Sequence, residues 1–138
     1  MFVQRLRSDT AALAIDESRR LVRLRRNSVR LDDPRELAAA MQSVVQMLEQ
    51  LVPLHERGSY GLLMDMRDAP LLTEPELEKV VSNYSHAIRQ GWRQVAVLIK
   101  TPVGKLQVRR TTKQDIDSSR AVFDDEIAAM NFLTGAKS

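Results

Sequence analysis

The five residues Val95-Ala96-Val97-Leu98-Ile99 are apolar at every position. In a strand, neighbouring side chains point to opposite faces of the sheet. A strand covered on one face only would alternate, so this run demands cover on both sides. An amphipathic helical pattern precedes it. Together they restrict the chain to an α/β layer architecture with a parallel strand near its centre. The length, 138 residues, suits one such domain and not two.

The remaining elements follow from periodicity and punctuation. Residues 10–17 and 20–26 alternate as two strands, with a short turn around Asp16–Arg19, and predict an antiparallel hairpin. Leu37, Met41, Val44, Leu48 and Leu51 form one apolar stripe along a helix over 33–52. Asp33 caps it, Pro34 fits its first position and Pro53 ends it. Tyr60–Met66 reads as a strand. A second helix starts near Thr73, its expected N-cap. It buries Leu77, Val80, Val81, Tyr84 and Ile88, and stops at Gly91. Trp92–Ile99 is the central strand. A weaker helix runs from Thr101 to about Gln114, and 115–119 is a polar loop. Arg120–Phe123 is a short strand. Asp124 is expected to cap a last helix, Asp125–Leu133, with Ile127, Met130 and Leu133 inward. The order is β-β-α-β-α-β-α-β-α, a mixed sheet with parallel later strands.

Several function classes lack their residues. There is no cysteine, which excludes thiolate chemistry, thiolate metal sites and disulfides. His55 and His86 stand in different elements without ligand spacing, so surface or capping roles are the plainer reading. Gly104-Lys105 suggests a phosphate loop, but Ile99 and Leu106 occupy two of its defining positions. No Ser-His-Asp motif is present. No catalytic residue, cofactor or metal is therefore expected. The longest apolar run is too short to span a bilayer, and the first residues lack a signal-peptide core. The expectation is a soluble, cytoplasmic protein.

Charge is uneven. Residues 1–31 hold eight basic and three acidic side chains, and the rest of the chain is slightly acidic. Arg19, Arg20, Arg23, Arg25, Arg26 and Arg30 follow one another with no acid between them. Such a run can bind phosphates or an anionic surface. But no aromatic residue stands near to stack bases, and there is no recognition-helix motif. The plainer reading is a solvated face or a protected sheet edge. An acidic protein partner comes next. Asp65 ends a predicted central strand, with Arg67 and Asp68 behind it, and ligand sites favour such strand ends. The plainer reading pairs Asp65 with Arg67 or with a loop N–H.

Three segments carry a family resemblance. They are Tyr60-Gly61-Leu62-Leu63-Met64-Asp65-Met66-Arg67, the helix and strand leading to Arg93-Gln94-Val95-Ala96-Val97-Leu98, and the ending Arg120–Leu133. Over roughly residues 10–134 the chain resembles the SpoIIAA-like, STAS-related proteins. The resemblance implies a single STAS-like domain over 1–138 that regulates or binds rather than catalyses. Anti-sigma antagonists of this group carry a phosphorylatable Ser in the loop after the strand that here ends at Asp65. That Ser is missing, and Thr73 is the nearest hydroxyl.

The leading expectation is a non-catalytic interaction module that binds a protein partner or a second copy of itself. Asp65, Arg67, Asp68 and Thr73 would carry the contact. The alternative is a small apolar ligand or lipid held between sheet and helices, with Met41, Met47, Met64 and Met66 as adaptable lining. Nucleic-acid binding through the arginine run ranks third.

Overall fold

The computed structural model describes residues 1–100 and 120–135. Three strands come first: β1 (Val3–Arg7), β2 (Ala11–Asp16) and β3 (Leu21–Arg26). Helix α1 (Pro34–Leu51) and a 3-10 turn (Leu54–Ser59) lead to β4 (Gly61–Asp65). Helix α2 (Pro75–Arg89) leads to β5 (Gln94–Leu98). Strand β6 (Arg120–Phe123) and helix α3 (Glu126–Thr134) complete the described chain. The six strands form one sheet in chain order, β1-β2-β3-β4-β5-β6. The first three are antiparallel, and β3 to β6 are parallel. The mixed α/β sheet expected from the sequence is present. The helix read over 101–114 and the loop 115–119 lie outside the described residues.

Strand β1 is an addition to the expected order. It sits at the sheet edge, where one paired neighbour suffices, so Leu6 alone of its apolar residues packs on the core. Its register shifts between Gln4 and Leu6. Such a bulge, together with Arg5 and Arg7, discourages a second chain from pairing there.

The sheet buries both faces, as the run at residues 95–99 requires. On one face, Val22, Leu24, Leu62, Met64, Val95 and Val97 pack under Val44 and Leu48 of α1 and Ile88 of α2. On the other, Leu21, Leu63, Ala96 and Leu98 pack under Ala129 and Leu133 of α3. The crossovers from β3 to β4 and from β4 to β5 step the same way across the sheet. A shared hand therefore puts α1 and α2 on the same face. At Gly61 a Cβ would lie 2.9 Å from Leu21 and 3.2 Å from Leu133, so any larger residue there would have to displace those side chains.

The helix ends correct two capping expectations. Asp33 caps α1 as read, accepting from the Arg35 N–H at 2.8 Å. For α2 the cap is Glu74, not Thr73, and its side chain makes no capping bond. Pro75 fixes this: it takes the first helical position, so the cap falls on the residue before it. For α3 the cap is Asp125, not Asp124, and it accepts from the Ile127 and Ala128 N–H groups. Ala129 and Leu133 set the buried face of α3, so Ile127 points outward and is 71% exposed, against its expected inward place. In α2 the fully buried residues are Leu77, Ser85, Ile88 and Arg89, while Val80, Val81 and Tyr84 are half-buried.

Arg57 joins the carboxyl ends of α1 and α2. It is 3% exposed. Nε donates to the Val52 carbonyl, and Nη1 donates to those of Ala87 and Gln90. Nη2 reaches Glu49, and the guanidinium lies over the Trp92 ring. A cation suits two helix carboxyl ends. Burial draws its pKa down and Glu49 opposes this.

Candidate functional site

The parallel strands end together beside a loop without regular structure, residues 66–74. Leu24 of β3 pairs in register with Met64 of β4, and both belong to the face under α1 and α2. With Ile99, just past β5, they line a cavity of about 220 Å³. Leu37, Met41 and Val44 of α1 line it as well, as do Val81, Ser85 and Ile88 of α2. Met66, Ala69, Pro70, Leu71 and Leu72 contribute from the loop. The space is partly open to the surface beside the exposed Leu71 and Lys100, so it is a cleft between sheet and helices and not a sealed void. Of the methionines expected as lining, Met41, Met64 and Met66 are there. Met47 instead packs against the core.

Four cations also line the cavity: Arg26, Arg67, Arg89 and Lys100. Among the described lining residues there is no Asp or Glu.

The four residues expected at a partner surface lie around the same strand ends, and each is engaged within the chain. Arg67 grips Asp65 side-on, Nε to Oδ1 at 3.0 Å and Nη2 to Oδ2 at 2.9 Å. The Arg67 N–H also donates to Oδ1. Arg67 reaches Glu126 in the first turn of α3 at 3.4 Å. Asp68 accepts from Arg25 at 3.4 Å, and the Thr73 hydroxyl accepts from Arg30 at 3.2 Å. Only Arg67 of the four lines the cavity.

The arginine run is divided by the fold. Arg25, Arg26 and Arg30 join the strand-end group. Arg19 and Arg23 lie over the Phe2 ring, and Arg20 over the Tyr60 ring, beside the β2–β3 turn. Asp16, itself buried, orders that turn. It accepts from the Ser18 hydroxyl, from the Met1 ammonium and from Arg19 N–H and Nε. Ser18 above all, then the two cations, hold its carboxyl far below the ordinary range. Arg20 takes a left-handed backbone, φ 55°, to complete the turn.

Burial alone would raise the Asp65 carboxyl, but the hydrogen bonds and charge of Arg67, with Arg25 behind, hold it below its ordinary value. The bond to Asp65 in turn raises the Arg67 guanidinium. A carboxyl depressed on folding adds stability above its unfolded pKa and loses it as pH falls through the folded one. Stability should therefore hold from pH 7 to about 5 and fall below about 4. Asp65→Asn should cost about 1 kcal/mol at pH 7, because Arg67 remains partly in water. It should also flatten part of the acid fall, leaving the share due to Asp16. Urea titrations of both proteins at pH 3, 5 and 7 check this; parallel pH profiles would contradict it.

His55 is exposed, and His86 lies in the last turn of α2. Among the described residues no group of His, Asp and Glu could hold a metal ion. No helix among them is long and apolar enough to cross a membrane. In the sequence Arg26 is one of six arginines assigned to a basic surface, on a strand with only alternate residues outward. Its only distinguishing mark is its two-residue spacing from Leu24, which puts both on one strand face. No family model, curated protein or solved structure matches the chain.

Proposed function

We propose that this domain binds a small, largely apolar ligand between its sheet and the α1–α2 layer. The observation that carries this reading is the cavity of about 220 Å³ at the carboxyl ends of β3 to β5. Pockets of this kind, apolar with a few polar groups, at strand ends of an α/β sheet, are where ligands bind. A dry cavity of about 150 Å³ accepts benzene, so this one takes a chain or ring of roughly nine carbons.

Docking of a protein partner or a second copy at Asp65, Arg67, Asp68 and Thr73 stands second. Each of those side chains already has a partner within the chain. Kinship with the SpoIIAA-like, STAS-related proteins belongs to the proposal too, supported by the order of strands and helices from β3 onward.

Amide NMR spectra recorded during titration with octanoate and with n-octanol test the reading. The expected result is saturable shifts centred on Leu24, Met41, Met64 and Ile88, abolished in Val44→Phe, whose ring fills the space. Unchanged spectra with both compounds, up to their solubility limits, would overturn it.

A further inference from the structure

We propose that the cavity selects an anionic amphiphile, a carboxylic acid of about eight to ten carbons, whose head group is met by Arg26. This rests on the ligand-binding reading above and specifies its chemistry.

The first ground is charge. Cations line the cavity and, among the described residues, carboxylates do not. The cations differ in what balances them. Arg67 is answered by Asp65 and Glu126. Arg26 is half-buried, and its bonds go to neutral acceptors: the Thr10, Asn27 and Val29 carbonyls and the Asn27 side chain. Among the described residues no carboxylate lies within ion-pair reach of it. Desolvation draws its pKa down. A half-buried guanidinium without a counter-ion is costly, and a ligand carboxylate would supply one.

The second ground is geometry. Arg26 and Leu24 share a strand face, and both line the cavity. An alkyl tail over Leu24 and Met64 therefore places its head near Arg26. A guanidinium has five N–H donors. Nη1 is committed to Thr10 and Asn27, and Nη2 gives one bond to Val29. Nε–H and a second Nη2–H meet no acceptor among the described residues. Arg67 uses those same two nitrogens to grip Asp65. Such a fork matches a carboxylate and orients it. The carbonyls that hold Nη1 fix the guanidinium in advance, so little ordering is left for binding. Lys100, exposed at the end of β5, adds a second positive charge on the cavity lining.

Calorimetric titration with octanoate and n-octanol, equal in chain length, separates the head group from the tail. Wild type should bind octanoate at least tenfold tighter than n-octanol. Arg26→Gln should lose most of that preference while keeping its n-octanol affinity. Equal binding of the two compounds by wild type would overturn the inference and leave the cavity reading standing. Binding of neither would remove both. An octanoate preference unaltered in Arg26→Gln would overturn the role of Arg26. Should Arg26→Gln fail to fold, the Arg26→Lys variant keeps the charge but not the fork. Its octanoate affinity should then fall several-fold, and full retention would overturn the fork geometry.

Discussion

Replacing Arg57 by methionine should lower the unfolding free energy by about 2–4 kcal/mol. Methionine matches the stem only as far as Nε, so the guanidinium's contact with the Trp92 ring goes with the charge. What disappears is the set of donors serving the Val52, Ala87 and Gln90 carbonyls. Those acceptors end α1 and α2, and helix ends left without partners are costly when buried. Glu49 contributes little by contrast: its side chain is 57% exposed and stands 3.4 Å from Nη2. Glu49→Gln should therefore cost less than about 0.5 kcal/mol. Urea unfolding of the two variants distinguishes a role in carbonyl satisfaction from one in charge pairing. A loss under about 1 kcal/mol in the methionine variant would show that water replaces the guanidinium without penalty.

Leu62→Ala should cost about 3–5 kcal/mol. Leu62 has no exposure and lies between Val22 and Val95 in register, under the helical layer. Strands on both sides restrain the backbone, so the site cannot collapse around the lost carbons. Met41→Ala should cost only about 1–2 kcal/mol, because its side chain is incompletely buried and borders existing space. Thermal melts of the two variants supply the comparison, and a larger loss at Met41 would mean that the cavity wall, not the sheet centre, anchors the fold.

The central architecture was legible because burial on two faces leaves no freedom in composition: residues 95–99 had to be apolar throughout. Asp33-Pro34 announced α1 for an equally local reason. The same proline rule places the cap of α2 at Glu74, yet the hydroxyl of Thr73 is the more conspicuous signal and points one residue too early. Ile127 sits within an apolar helix, where periodicity cannot say which side faces out. Strand β1 was hidden by the low demands of an edge. The candidate site was only half legible. Asp65 and the methionines stood out, but six arginines in a row look alike. Arg25 finds its acid 43 residues further along the chain, at Asp68, whereas Arg30 pairs with Asp32 two residues on. Which of the six borders the cavity without a carboxylate partner among the described residues depends on strand face and on pairings both local and distant.

Because strand order equals chain order, every strand pairs only with strands made immediately before or after it. A ribosome delivering this chain from its amino end presents each new strand with a neighbour already in place. The β1–β3 meander needs only short-range closure, and the later strands extend it one at a time. The face formed by Leu21, Leu63, Ala96 and Leu98 is the exception. Phe2 packs on it from the start of the chain, but among the described residues its helical cover, Ala129 and Leu133, comes only with α3. An apolar sheet face whose cover arrives after the strands that build it is open to association with other chains until that helix docks.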